Sequence, residues 1–226
     1  MSRRREKAQD QEQDEALSAA MKRKLDPAIA ASITDAVRAV EKSSSAELVV
    51  EVRPRSGSYA HAEGRFAAVV AFGALLFALF SPWEFDPEWV PVGVLFAYIF
   101  GVALARSSNF IRRLLTTHRD REARVRAAAA TAFVEQGVGN TRHETGLLAY
   151  FSMLERRIEL IADRGILNAV PNLEWNQVVA SARERGATVE DLGAVIIGLQ
   201  AILARYLPAA ADDIDELPNE VRFVSE

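Results

Sequence analysis

Two apolar runs separated by a short acidic stretch constrain this chain more than any other feature. Residues 66–80, FAAVVAFGALLFALF, and residues 89–105, WVPVGVLFAYIFGVALA, contain no charged or amide side chain. Each is apolar on every face, whereas a helix on the surface of a soluble domain carries a polar stripe. Extended to Trp83, the first run spans about 27 Å as a helix, close to the roughly 30 Å hydrocarbon core of a bilayer, and the second is comparable. Core helices of a large soluble protein look similar, but a chain of 226 residues hardly encloses two of them. The runs predict a transmembrane hairpin over residues 66–105, with helices at 66–83 and 89–105.

The stretch between them, SPWEFDPEW, reads as the hairpin's tip. Pro82 ends the first helix, and Trp83, Phe85 and Trp89 form the aromatic belt expected at a membrane interface. Charge sets the orientation. Arg53, Arg55 and Arg65 precede the hairpin, and Arg106, Arg112, Arg113, Arg119, Arg121 and Arg124 follow it, while the tip carries only Glu84, Asp86 and Glu88. The positive-inside rule then puts both flanks in the cytoplasm and the tip outside. The leader, residues 1–24, is charged throughout and lacks the apolar core of a signal peptide, so it is expected to be a flexible cytoplasmic tail.

Composition narrows the chemistry. At 50% hydrophobic and 26% charged residues the chain is globular rather than disordered. A net charge of -4 provides no basic surface for nucleic acid. The absence of cysteine excludes disulfides, thiolate catalysis and cysteine-bound zinc, and His61, His118 and His143 are too scattered for a transition-metal site. A cation held by oxygen ligands, calcium or magnesium, stays compatible with the composition.

The polar segments alternate helix and strand. Pro27 at the first helical position after Asp26, with Ile29, Ile33, Val37 and Val40 at helical spacing, predicts a helix to about Lys42. AELVVEVR, ending at Pro54, is a strand. Residues 117–136 form a long Ala- and Arg-rich helix with Val125, Ala128, Ala129, Ala132 and Phe133 on its apolar side. GLLAYFSML and RIELIADRG follow as two strands of an antiparallel hairpin separated by Glu155 and Arg156. Asn172 begins one further helix, and Thr188 with Asp191 forms a capping box for the last. One α/β domain, residues 25–65 and 106–207, is thus interrupted by the membrane hairpin and followed by an acidic, extended tail at 208–226. A small α/β sandwich with a central sheet flanked by helices is the expected fold, and the strand at Glu47 finds its partners a hundred residues later.

AVEKSSSAELVVEV, the block AAAATAFVEQGVGNTRHETGLLAYFSMLERRIELIADRGI, the helix bearing Trp175 and the late ELPNEV resemble the TPM domain family, in its branch of bacterial membrane proteins. Similar proteins often carry Gly where this chain has Ala46, before Glu47. The resemblance implies a compact α/β sandwich in a bacterial inner (plasma) membrane. It also implies two activities for comparison, since some members carry a phosphatase label and others bind calcium.

Among individual residues, Asp163 lies at a strand end before a glycine, where α/β sheets gather ligands and where an Asp also bonds its own turn. Glu47 begins its strand and is expected to face the same edge, as a metal ligand or a solvated strand-end charge. Arg142 offers a fork of donors for phosphate. His143 reads as a surface histidine and Trp175 as a core or groove aromatic. Two functions follow. The first is a non-catalytic module, anchored in the lipid bilayer through residues 66–105, that binds a protein partner on the cytoplasmic face. The second is a divalent-cation-dependent phosphatase in which Asp163 and Glu47 hold the cation and Arg142 the phosphate.

Overall fold

The computed structural model describes residues 27–83, 85–107, 115–185, 188–209, 216–217 and 221–224. The chain divides into two compact units, one formed by Met1–Ser56 with Glu122–Glu226, the other by Gly57–Arg121.

The first unit is a mixed α/β sandwich. Helix α1 (Pro27–Ser43) begins at the proline, and the Asp26 cap expected there lies outside the described residues. It leads into β1 (Glu47–Arg53), in which residues 47–52 are all buried. That burial on both faces marks an interior strand, and β1 indeed pairs in parallel with β2 (Gly146–Ser152) on one side and β4 (Arg222–Phe223) on the other. β2 pairs antiparallel with β3 (Arg157–Ala162), giving the sheet order β3-β2-β1-β4. The β2–β3 turn takes residues 153–156, four rather than the expected two, and Arg156 closes it at a left-handed φ of 52°.

Alternation along the strands builds two cores. Leu48, Val50, Val52, Leu147, Ala149 and Phe151 face α1, α6 (Asn172–Arg185) and α7 (Val189–Tyr206), and they pack with Ile33, Val37, Val40, Trp175, Leu192, Ile196 and Leu199. Val49, Leu148 and Tyr150 point the other way, against Val125, Ala129 and Ala132 of α4 (His118–Glu135). Each fully buried Val, Leu or Ile contributes about 1.5–3 kcal/mol relative to its exposed state. The capping box at Thr188 forms as expected: the Thr188 hydroxyl accepts from the Asp191 N–H at 3.3 Å, and the Asp191 carboxylate accepts from the Thr188 N–H at 2.8 Å.

The tail is more than a free end. Two of its residues, Arg222 and Phe223, add an edge strand to β1, and Leu217 packs into the core beneath α4. A short helix that the sequence pattern did not predict, α5 (Arg164–Ala169), follows β3 directly.

The second unit is a helical hairpin. Helices α2 (Ala60–Phe80) and α3 (Val90–Ser107) are both long and apolar enough to cross a membrane, at about 31 and 27 Å. α2 begins six residues before the apolar run, in AHAEGR. The two helices meet through Ala67, Ala71, Gly101 and Ala105, whereas Val69, Phe80 and Phe96 are 69%, 81% and 67% exposed. Small side chains lie inside and large apolar ones outside, the reverse of a water-soluble helix pair. At the end away from the tip, the buried Glu63 carboxylate pairs with the Arg106 guanidinium, Oε2 to Nε 3.1 Å. Trp83 meets the Phe77 ring edge-on at 5.8 Å and Phe85 lies 6.1 Å from it, so two of the three expected interfacial aromatics gather around one ring.

Candidate functional site

The expected site residues converge on one end of the sheet, although not as the strand-end argument supposed. Because β3 runs antiparallel, the end beyond Ala162 is where β1 and β2 begin, not where they finish. Gly146 stands in the middle there. It pairs with Glu47 on one side, and its carbonyl accepts from the Asp163 N–H at 2.9 Å on the other.

Both carboxylates have work within the chain. Asp163 caps α5, its Oδ1 accepting from the Arg164 N–H at 2.7 Å, which accounts for the helix the sequence pattern missed. Its Oδ2 is buried and meets no donor among the described residues. Glu47 is 7% exposed, and its Oε2 accepts from the Leu217 N–H at 3.2 Å. Arg142 is exposed, and its backbone N–H donates to Glu216 Oε2 at 3.2 Å. Glu47 and Arg142 thus hold the returning tail across the start of the sheet. His143 is exposed, and Trp175 is buried in the larger core at 8% exposure.

Glu47 and Asp163 flank β2 at two strand spacings, about 9.6 Å between backbones. A single calcium ion touching both would need their oxygens within about 5 Å of each other. Among the described residues, no group of three or more His, Cys, Asp or Glu side chains gathers as a metal site would require.

The opposite end, where β1 and β2 finish, carries a denser polar network that the sequence pattern did not reveal. Glu51, with zero exposure, is held by Arg53 (Oε1 to Nε 2.5 Å) and by the Gln136 amide (3.2 Å). The Tyr150 hydroxyl lies 3.0 Å from Ser56 Oγ, and burial pushes its phenol up to about 12. Glu155 accepts from the Ser56 N–H at 3.1 Å and from the Ser152 hydroxyl. On the edge strand, Glu159 takes Arg183 in a fork, at 2.6 and 3.1 Å, and Arg126 at 3.5 Å. Hydrogen bonding to Glu159 raises the Arg183 guanidinium further above its ordinary value. Glu51, Glu155 and Glu159 are each matched by donors. The network is built as an internal clamp between the sheet, α4, α6 and the chain leaving β1.

No family model matches the chain, and no curated protein does. Among solved structures it is similar to the NMR structure of the BA42 protein from the psychrophilic bacterium Bizionia argentinensis, with a TM-score of 0.51. The two share 20% sequence identity over 88% of this chain and 94% of that one. At that identity the likeness is one of fold, and the fold is a mixed α/β one: a four-stranded sheet flanked by helices.

Proposed function

We propose that this chain is a membrane-anchored member of the TPM domain family, whose α/β sandwich works as a non-catalytic protein-binding module on the cytoplasmic face of a bacterial inner membrane. The observation that carries the reading is the hairpin's surface. Only 17% and 11% of the apolar windows of α2 and α3 are buried, and the exposed remainder includes Phe72, Phe77, Phe80, Phe96 and Phe100. A surface of that kind calls for lipid rather than water. The binding role is favoured over a hydrolytic one because Glu47 and Asp163 are engaged in holding the tail and capping α5.

The chain has no cysteine, so topology is open to single-cysteine labelling. Ser81→Cys at the tip is expected to react with a membrane-impermeant maleimide in intact cells, and Ser181→Cys on α6 only after lysis. The opposite pattern would reverse the orientation, and labelling of neither until detergent is added would argue for a buried hairpin. Partner binding is tested by crosslinking the full chain in its own membrane, with recovery of one saturable partner as the expected result.

A divalent-cation-dependent phosphatase is the second reading, and one observation favours it: the buried Asp163 Oδ2, which meets no donor among the described residues. Turnover of a phosphomonoester under calcium, magnesium or manganese that is lost in Asp163→Asn would support it. A silent parent protein under all three would end it.

A further inference from the structure

Toward the tip, the hairpin opens. At the other end of the helix pair, a Cβ placed on Gly101 would stand 2.8 Å from the Ala67 Cα, whereas a Cβ on Gly93 would meet nothing within 4 Å. Ala74 and Ala78 of α2 and Gly93 and Val94 of α3 line a cleft of about 430 Å³ there, with Asp86 and Trp89 among its lining residues. Its size lies within the roughly 300–1,000 Å³ of small-molecule sites. Small residues on both walls leave space that neither helix fills, and in a bilayer apolar space of this kind is filled by hydrocarbon.

The single carboxylate selects the ligand. Among the described residues, Asp86 is the one charged residue of the cleft's lining. Its Oδ1 accepts from the Glu88 N–H at 3.2 Å, and it forms no ion pair among the described residues. The sequence has no Lys or Arg from residue 66 to residue 105, and the tip adds Glu84 and Glu88 to the negative charge. A headgroup cation is the natural complement, and a headgroup with net negative charge is repelled. Trp89 contributes an indole N–H, a donor of the kind a phosphate oxygen takes.

We infer that the tip cleft is a binding site for one lipid, taking an acyl chain between Ala74, Ala78 and Gly93 and the primary ammonium of a phosphoethanolamine headgroup at Asp86. The inference rests on the membrane reading of the hairpin. It is tested in the full chain with Trp83→Phe and Trp175→Phe, which leaves Trp89 as the only indole. The protein is reconstituted into phosphatidylcholine vesicles carrying increasing fractions of chain-brominated phosphatidylethanolamine or chain-brominated phosphatidylglycerol.

Trp89 quenching is expected to saturate at about a threefold lower mole fraction of the ethanolamine lipid, the scale of one charge pair at an interface. Filling the cleft with Gly93→Leu, or with Ala78→Leu should the first variant fail to fold, is expected to remove the saturable phase. Asp86→Asn is expected to keep that phase and abolish the headgroup difference. Equal quenching by the two lipids, or quenching unchanged in the filled variants, would reduce the cleft to ordinary boundary contact and overturn the inference while leaving the hairpin in the membrane. No quenching by either lipid, nor by brominated phosphatidylcholine, would overturn the membrane reading itself, and the inference with it.

Discussion

Gly101 of α3 rests against the backbone of Ala67 of α2, with no room between them for a methyl group: a Cβ on the glycine would lie 2.8 Å from the Ala67 Cα. Gly101→Val is therefore expected to force the helices apart, at a cost of about 1–3 kcal/mol. Gly73→Val, on α2 but facing open space, is the control. In mixed micelles, the first variant should lose helix at a lower mole fraction of dodecyl sulfate than the parent, and the second at an unchanged one. Equal midpoints for Gly101→Val and the parent would show that this contact does not hold the hairpin together.

Glu159 ties both helical layers to the edge of the sheet. It sits beside Tyr150 across the β2–β3 pair, is 4% exposed, and takes Arg126 from α4 and Arg183 from α6. Glu159→Ala would leave Arg183, itself three-quarters buried, without its fork. The expected loss is about 2–3 kcal/mol, at or under the low end for fully buried pairs because Arg183 retains some water. Urea midpoints of the parent, Glu159→Ala, Arg183→Ala and the double variant measure it. A double variant no worse than Glu159→Ala locates the coupling in this pair, whereas simple addition of the two losses would deny it.

The elements that depend on local pattern were legible in the sequence. β1 and β2 announce themselves through runs of branched and aromatic residues, α7 through the Thr188–Asp191 box, and the hairpin through two uninterrupted apolar runs. The polar network was not legible. In ELVVEVR, Glu51 stands where alternation predicts a water-facing side chain, and it is buried only because α4 covers that face; its amide partner, Gln136, lies 85 residues away. The same holds for Glu159. The placement of Asp163 and Glu47 at one end was anticipated, as was a bond from Asp163 to its own turn, but the use made of Glu47 was not, since the tail segment that engages it is 170 residues distant in sequence. β4, at two residues, is too short for any periodicity to reveal.

Gly146 and Gly198 should respond oppositely to the same substitution. A Cβ on Gly146 would stand 1.9 Å from the Val138 carbonyl oxygen, which is backbone and cannot swing aside, so Gly146→Ala must displace either the start of β2 or the turn at residues 138–140. The expected loss is about 3 kcal/mol, with Glu47 and Asp163 losing the strand that aligns them. Gly198 lies in the middle of α7 with nothing within 4 Å of its Cβ position. Gly198→Ala is expected to raise stability by about 0.5–1 kcal/mol, because alanine gives up less backbone freedom on folding. Thermal unfolding of the two variants beside the parent checks both signs.

Tyr150 gives the sandwich a defined response to alkali. Its side chain has zero exposure, and burial is the main reason that its phenol is pushed up to about 12, from the 10 of a free tyrosine. Below pH 10 the phenol is neutral in both folded and unfolded chains, and its contribution is present in full. Between pH 10 and 12 the unfolded chain releases the proton while the folded one retains it, so stability falls across that window, by about 3 kcal/mol in all. Tyr206, raised by donating to Glu174 at 2.7 Å, is present in both the parent and Tyr150→Phe and cancels from the comparison. Urea midpoints taken from pH 9 to pH 11.5 should fall more steeply for the parent than for Tyr150→Phe, while at pH 9 the variant is the weaker protein for want of the Ser56 hydrogen bond. Parallel curves across that range would mean that the phenolate gains solvent without unfolding, and that Ser56 and the chain leaving β1 open locally before the sheet does.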